Sequence, residues 1–197
     1  MKKILFIYIT FFFCIQSIKG QNIMVSTNVA DWMDFATMNI EAGLPVARHF
    51  SVHAGARINP WVFGLQQGEA SYDDIVDLDK AGFLKKKTQV ALSVRWWPWY
   101  VLSGWWFRAK VGFLSYDWGG KFLGQERRIG DAFGAGLGLG YTLMLSSNWN
   151  MEFGFGGWAG MVSESVRENV VTPKGPDPSW SRFLWIDDIV ISFVYVF

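Results

Sequence analysis

The residues able to do acid–base or ligand chemistry are few and scattered. His49 and His53 are the only histidines in the chain. A hydrolytic reading would pair one of them with a serine and an acid, as in a set that deacylates or transacylates lipid. No nucleophile elbow accompanies either histidine, and the mutual geometry a triad requires is not written in a sequence. The glycine-rich stretch FGAGLGLGYTLML, Phe133 to Leu145, suggests phosphate binding at first sight. It lacks the G-x-G-x-x-G spacing, because Leu139 stands at the last glycine position, and it has no P-loop lysine. The acidic run containing Asp73, Asp74, Asp77 and Asp79 fails the EF-hand order and its terminal glutamate. It reads as a solvated loop, with divalent-cation bridging to lipopolysaccharide phosphates as the alternative. TPKGPDP, Thr172 to Pro178, is helix-breaking loop chemistry. No cofactor or metal is expected.

What remains is a set of charges at alternate positions. Gly134, Gly136, Gly138 and Gly140 fall on every second residue, with large apolar residues between them. A period of two belongs to a β-strand, whose side chains point alternately to opposite faces. The pattern recurs and predicts strands over residues 23–31, 36–44, 50–61, 88–97, 105–117, 131–145, 149–161 and 183–197. On each strand one face is bulky and apolar. The opposite face mixes glycine, small polar residues and charges of both signs. A soluble sandwich with its apolar face inward fits the alternation as well. Bulk on nearly every strand favours the inverted arrangement, as do aromatics clustered at strand ends. WWPWYVLSGWWF, Trp96 to Phe107, surrounds one turn, and Trp32, Trp61, Trp118 and Trp180 are expected at the other end.

The expected fold is therefore all-β: an eight-stranded antiparallel up-and-down transmembrane β-barrel over residues 21–197. Short turns at 45–49, 98–104 and 146–148 alternate with longer loops at 63–87, 118–130 and 162–182, and Trp32–Phe35 is a short exception. So narrow a barrel is filled by side chains. Its lumen is expected to hold Glu41, His53, Arg57, Arg95, Arg108, Lys110, Glu152 and Asp188 as a structural charge network. The bare inward face of the sixth strand is expected to make room for Trp106, Trp158 or Arg108.

The two ends point the same way. Met1-Lys2-Lys3 and the apolar run Ile4 to Gln16 predict a removed signal peptide over residues 1–20, which contains Cys14, the one cysteine of the chain. Without Lys2, Lys3 and Lys19 the eighteen basic residues fall to fifteen against seventeen acidic ones, a formal charge of −2. That balance leaves no electrostatic footprint for nucleic acid. The final strand ends at Phe197, with Phe193 and Tyr195 on the same face, and resembles the carboxy-terminal assembly signal of Gram-negative outer-membrane barrels.

STNVADW, MNIEAGLPVARHFSVHAGARINPW, VRWWPW and GAGLGLGYTLMLSSNWNMEFGFGGW together resemble the uncharacterised small outer-membrane barrels common in Bacteroidota, a domain of unknown function with an OmpA/OmpX-like barrel often encoded near fimbrial genes. The resemblance implies a bacterial outer-membrane location and association with fimbria-like surface structures. It implies no catalytic residues. The expected function is structural or interaction-based: a monomer in contact with outer-membrane lipids and lipopolysaccharide, meeting a surface-assembly protein through its external loops. A membrane-embedded lipid-modifying enzyme, of lipid A deacylase or acyltransferase type, and a small pore are the alternatives.

Overall fold

In the computed structural model, which describes residues 23–63, 83–120, 124–167 and 178–197, the chain is a closed antiparallel barrel. Its strands are β1 (Met24–Asn28), β2 (Met38–Ala47), β3 (Phe50–Asn59), β4 (Val62–Phe63), β5 (Phe83–Trp96), β6 (Gly104–Gly120), β7 (Gly124–Met144), β8 (Trp149–Arg167) and β9 (Ser179–Val196). Each strand pairs with its sequence neighbours except that β3 pairs with β5 and not with β4, and β1 closes the ring against β9, from Met24↔Val196 to Asn28↔Ser192. The two-residue β4 pairs with β5 directly beyond β3, so eight strand positions encircle the lumen. Closure pairs the first and last strands around the body of the barrel, which removes there the main liability of an antiparallel sheet. The expected signal segment, the acidic run at Asp73, Asp74, Asp77 and Asp79, and nearly all of the 172–178 stretch lie outside the described residues.

Several boundaries differ from those expected of the sequence. β1 stops at Asn28 instead of running to Asp31, because Asn28 caps a short helix, α1 (Val29–Met33). The Asn28 side chain accepts from Ala30 N and Ile191 N and donates to Ile189 O, tying the helix start to β9. Phe35 and Ala36 adopt left-handed φ values of 52° and 53°, so β2 begins at Met38 and not at Ala36. The expected turn at Pro45–His49 shrinks to Arg48 and His49, with a bulge between Pro45 and Ala47 absorbing the change. In contrast β5 to β9 overrun their expected loop-side limits, by seven residues at the start of β7. Hydrogen bonding continues there because paired neighbours satisfy one another's backbone, whatever the side-chain pattern. The wall from β5 to β9 thus stands higher than the wall from β1 to β3.

At the opposite end the turn between β5 and β6 folds across the opening. Trp97 is fully buried, and its backbone N–H donates to His49 O at 2.9 Å. Val101 and Leu102 from the same turn pack on Met24, Val194 and Val196. Gly104, at φ 70°, completes it, and a Cβ there would stand 2.8 Å from the Trp99 ring. Only glycine accommodates both demands.

Inside the barrel, the bare face of β7 is filled by its neighbours. A Cβ on Gly140 would lie 2.3 Å from Trp106, and one on Gly136 would lie 2.6 Å from Trp158 Cβ. On β9 a bulge opposite Gly157 shifts the register from Gly156↔Asp188 to Trp158↔Trp185. The inward parity of β9 therefore changes, and Phe183 and Trp185 turn onto Trp158 at ring distances of 4.8 and 5.6 Å. The expectation for Trp118 is corrected: it turns inward and packs on Tyr116 at 4.5 Å, whereas Trp32, Trp61 and Trp180 are exposed as expected. Within WWPWYVLSGWWF, Trp97 and Trp106 point inward while Trp96, Trp99, Tyr100, Trp105 and Phe107 point out.

Replacing Gly140 by alanine should destabilise the barrel by about 1–3 kcal/mol through overpacking. Gly55→Ala, whose added Cβ would meet its nearest atom at 3.6 Å, should fold as well as the parent. Denaturant midpoints of the two variants check the difference.

Candidate functional site

The eight charged or titratable residues expected inside the barrel all line the interior, on β2, β3, β5, β6, β8 and β9. They form two linked clusters. In the one nearer the loop end, Asp188 sits at the bulge side of β9 and is nearly sealed from solvent, at 2% exposure. Its Oδ2 accepts from Lys110 Nζ at 2.6 Å and from Arg108, while Oδ1 accepts from Arg57 Nη2 at 3.1 Å. Arg57 also meets Asp31 Oδ2 at 2.8 Å through Nε. Asp31 was missed because an unbroken first strand would not carry it inward. The cue was local: an asparagine N-cap with an acid in the first helical turn.

In the cluster nearer the turn end, Arg95 donates to Glu152 Oε2 at 2.7 Å and to Glu41. Thr142 adds a contact to Glu152 Oε1 at 3.2 Å. The buried indole of Trp106 touches both clusters, with the Arg95 guanidinium 4.7 Å and that of Arg108 5.6 Å from its ring centroid. Four carboxylates (Asp31, Glu41, Glu152, Asp188) thus face four cations (Arg57, Arg95, Arg108, Lys110). The signs balance in a space with little water. That matters because an unpaired buried charge costs several kcal/mol, whereas a matched and hydrogen-bonded set roughly offsets its own desolvation.

His53 belongs to a relay at the edge of this network. Trp97 Nε1 donates to Ser51 Oγ at 2.9 Å, Ser51 Oγ meets His53 Nε2 at 2.8 Å, and His53 Nδ1 meets Glu41 Oε1 at 3.2 Å. The assignment that satisfies every partner has Ser51 O–H donating to Nε2 and Nδ1–H donating to Glu41. Gly43 makes the seat for the ring: a Cβ there would fall 2.6 Å from both Cε1 and Nδ1 of His53. Sequence spacing puts Ser51 and His53 on one face but does not reveal that Glu41 closes the set.

These are the atoms of a nucleophile–base–acid relay, yet the surroundings do not fit turnover. Ser51 is fully buried, and the Trp97 indole occupies its oxygen. Glu41 is shared with Arg95. The interior cavity, ≈ 50 Å³, is lined by Glu41, Arg57, Arg95, Arg108, Lys110 and Asp188 but not by Ser51 or His53. A cavity of that size holds a few waters and no acyl chain. The geometry therefore supports a buried polar network that fixes side-chain positions. His49 stands apart, in the turn, with Nδ1 3.0 Å from Trp97 O. Among the described residues no group of histidine, cysteine and carboxylate side chains is arranged to hold a metal ion.

Asp188→Asn should be the most damaging single change in this network, since it leaves three cations around a neutral group. A loss of about 3–5 kcal/mol is expected, read from denaturant unfolding of the refolded barrel. Ser51→Ala should cost less, about 1–3 kcal/mol, by stranding the Trp97 and His53 nitrogens.

A comparison with curated proteins finds no match to this chain. A family profile does match, and it covers the barrel from end to end. The chain belongs to the DUF3575 family, described as proteins of unknown function, whose profile matches residues 5–197.

Proposed function

We propose that this chain is a monomeric transmembrane barrel of a bacterial outer membrane, of structural or interaction type, with residues 1–20 removed as a signal peptide. The observation that carries the proposal is polarity turned inside out. Arg95, Glu152 and Asp188 are buried, at 2%, 1% and 2% exposure, while Leu92, Val111, Leu137, Phe155 and Ile189 are each more than half exposed. The outward face is apolar from Trp105 to Phe113 on β6 and from Phe133 to Leu143 on β7. Those runs match the roughly 9–11 residues with which a tilted strand crosses a bilayer core. Apolar patches on soluble monomers seldom exceed about 300–600 Å², and a belt around a whole barrel is far larger than that.

The belt has borders. On the loop side the row Phe113↔Phe133↔Met161 gives way to the next outward row, Ser115↔Asp131↔Ser163. At the turn end aromatic side chains meet in pairs: Trp105 with Tyr141 at 5.4 Å, Trp149 with Tyr195 at 5.0 Å, and Trp96 with Phe107 at 5.5 Å. Tryptophan and tyrosine at that level suit the interface between lipid and water. The taller β5–β9 wall then extends beyond the lipid on the loop side. That side is where a surface-assembly partner of the fimbria-like kind would be met, in keeping with the resemblance to Bacteroidota outer-membrane barrels.

A lumen filled by the charge network and by apolar plugs favours this reading over a pore, and the sealed Ser51 favours it over a lipid-modifying enzyme. Purified protein should require detergent to stay dispersed, and a lipid-soluble quencher should reach probes at Leu137, Phe153 and Phe193. Water-soluble folded protein, or protection of all three sites, would overturn the proposal. A fluorophosphonate should fail to label Ser51. Labelling lost in Ser51→Ala would restore the hydrolase reading.

A further inference from the structure

Where the taller wall rises above β1 to β3 it has two side edges, and among the described residues only one of them is filled. On the β5 side, β3 pairs up to Asn59↔Lys87, and β4 then covers Leu84 and Phe83. On the β9 side, β1 ends at Asn28↔Ser192, and the Asn28 side chain extends the ladder by bonding Ile191 N and Ile189 O. From Ser179 to Ile186, β9 pairs with β8 alone among the described residues. The carbonyls of Gly157 and Ala159 turn to β7, against Gly136 and Gly134. Alternation therefore turns the backbone groups of Trp158, Gly160 and Val162 to β9, where their partners are Trp185, Phe183 and Ser181. Trp180, Arg182 and Leu184 then point their N–H and C=O groups to the open side. Exposure agrees: Ser181 is exposed although it faces inward, whereas Leu114, Ala132 and Val162 in the same row are buried.

An open edge is a template for another strand, and proteins commonly blunt it with lysine, proline or a covering segment. SWSRFLWI, Ser179 to Ile186, has no lysine or proline and one charged residue, Arg182. Its outward side chains continue the apolar belt. Leu184 stands in the row Val111↔Ala135↔Ala159 and is 72% exposed, and Ile186 is 82% exposed. With the belt in lipid, this part of the edge has no water to bond its N–H and C=O groups, and open sheet edges are not tolerated there. A row of alternating donors and acceptors is matched by a second extended backbone, which lipid does not supply. A second copy of this chain does not fit. Copies in one membrane share their orientation and are related by an axis along the membrane normal. Both β9 strands would then run the same way, with like backbone groups at the same height, which no ladder accepts. The matching occupant is a strand of a different protein.

We infer that the β9 edge from Ser179 to Ile186 is a strand-addition site for an extended segment of a second protein, running antiparallel to β9 and continuing the course of β1. The inference rests on the membrane reading and gives its interaction partner a place and a chemistry. Alternation dictates the pattern of the added segment. Side chains beside Trp180 and Leu184 face outward and are apolar. Those between them face the interior and are small, because Phe183 and Trp185, 4.2 Å apart, already fill that side.

Isotope-filtered NMR on the labelled full barrel, refolded in deuterated detergent, tests the inference with an unlabelled peptide of alternating threonine and valine closed by lysines. Saturable binding is expected, with NOEs from the amides of Trp180, Arg182 and Leu184 to the peptide backbone. Arg182→Pro removes one edge N–H without touching the β8 ladder and should weaken binding about tenfold or more. Arg182→Ala, which keeps that N–H, should retain binding. The same peptide with every residue N-methylated keeps its side chains, lacks backbone donors and should not bind, which keeps the test decisive if Arg182→Pro fails to fold. No saturable binding, or equal binding of the plain and N-methylated peptides, overturns the inference. So do NOEs that place another part of the same chain, or a second copy, on this edge. The need for detergent is measured separately: a barrel soluble without it defeats the membrane reading, while an edge that takes no peptide defeats only this inference.

Discussion

A single carboxylate, Asp188 on β9, holds three cations from two strands that do not pair with β9: Arg108 and Lys110 on β6, and Arg57 on β3. The barrel cannot place charges on its inner face unless they cancel, since the lumen has room for side chains and little water. Much else follows from that requirement. Asp31 is drawn in to give Arg57 a second partner, which requires the short helix at the end of β1. Arg95 bridges Glu41 and Glu152 across the lumen, and the Arg95 and Arg108 guanidiniums lie 4.7 and 5.6 Å from the Trp106 ring centroid.

Filling is the second constraint, and it works together with the first. Long charged side chains and indoles occupy the same narrow space, so a wall must yield volume to them. β7 does so with its run of inward glycines, against which Trp106 and Trp158 lie. Above and below the charged layers the lumen is closed by apolar side chains. Met24, Val194 and Val196 with the β5–β6 turn close one end, and Leu114, Val162, Trp158 and Phe183 close the other. A charged middle between two apolar plugs keeps water from competing for the ion pairs, which strengthens each of them.

The Ser51–His53–Glu41 relay shows how far a motif can be from an activity. Its distances suit proton transfer, but its nucleophile is covered and its acid already serves Arg95. It is better understood as the point where the turn-end plug, through Trp97, is joined to the charge network.

The order of side chains along each strand was enough to determine which residues face inward, because a period of two is a property of the chain and not of its neighbours. That is why Glu41, His53, Arg57, Arg95, Arg108, Lys110, Glu152 and Asp188 were legible, and why the glycines of β7 pointed to bulky partners. What the tertiary structure decided were departures from that period and pairings across it. The bulge in β9 reverses parity and turns Phe183 and Trp185 inward, and no local signal in SRFLWIDDIV announces it. Asn28 starts a helix only with the help of Ile189 and Ile191, more than 160 residues away. Trp118 keeps the inward parity of Trp106, Lys110 and Tyr116, and what the tertiary structure adds is that β6 continues past the apolar belt with β7 beside it. Strand ends and charge partners are set by what stands across the barrel, and distance along the chain carries no information about that.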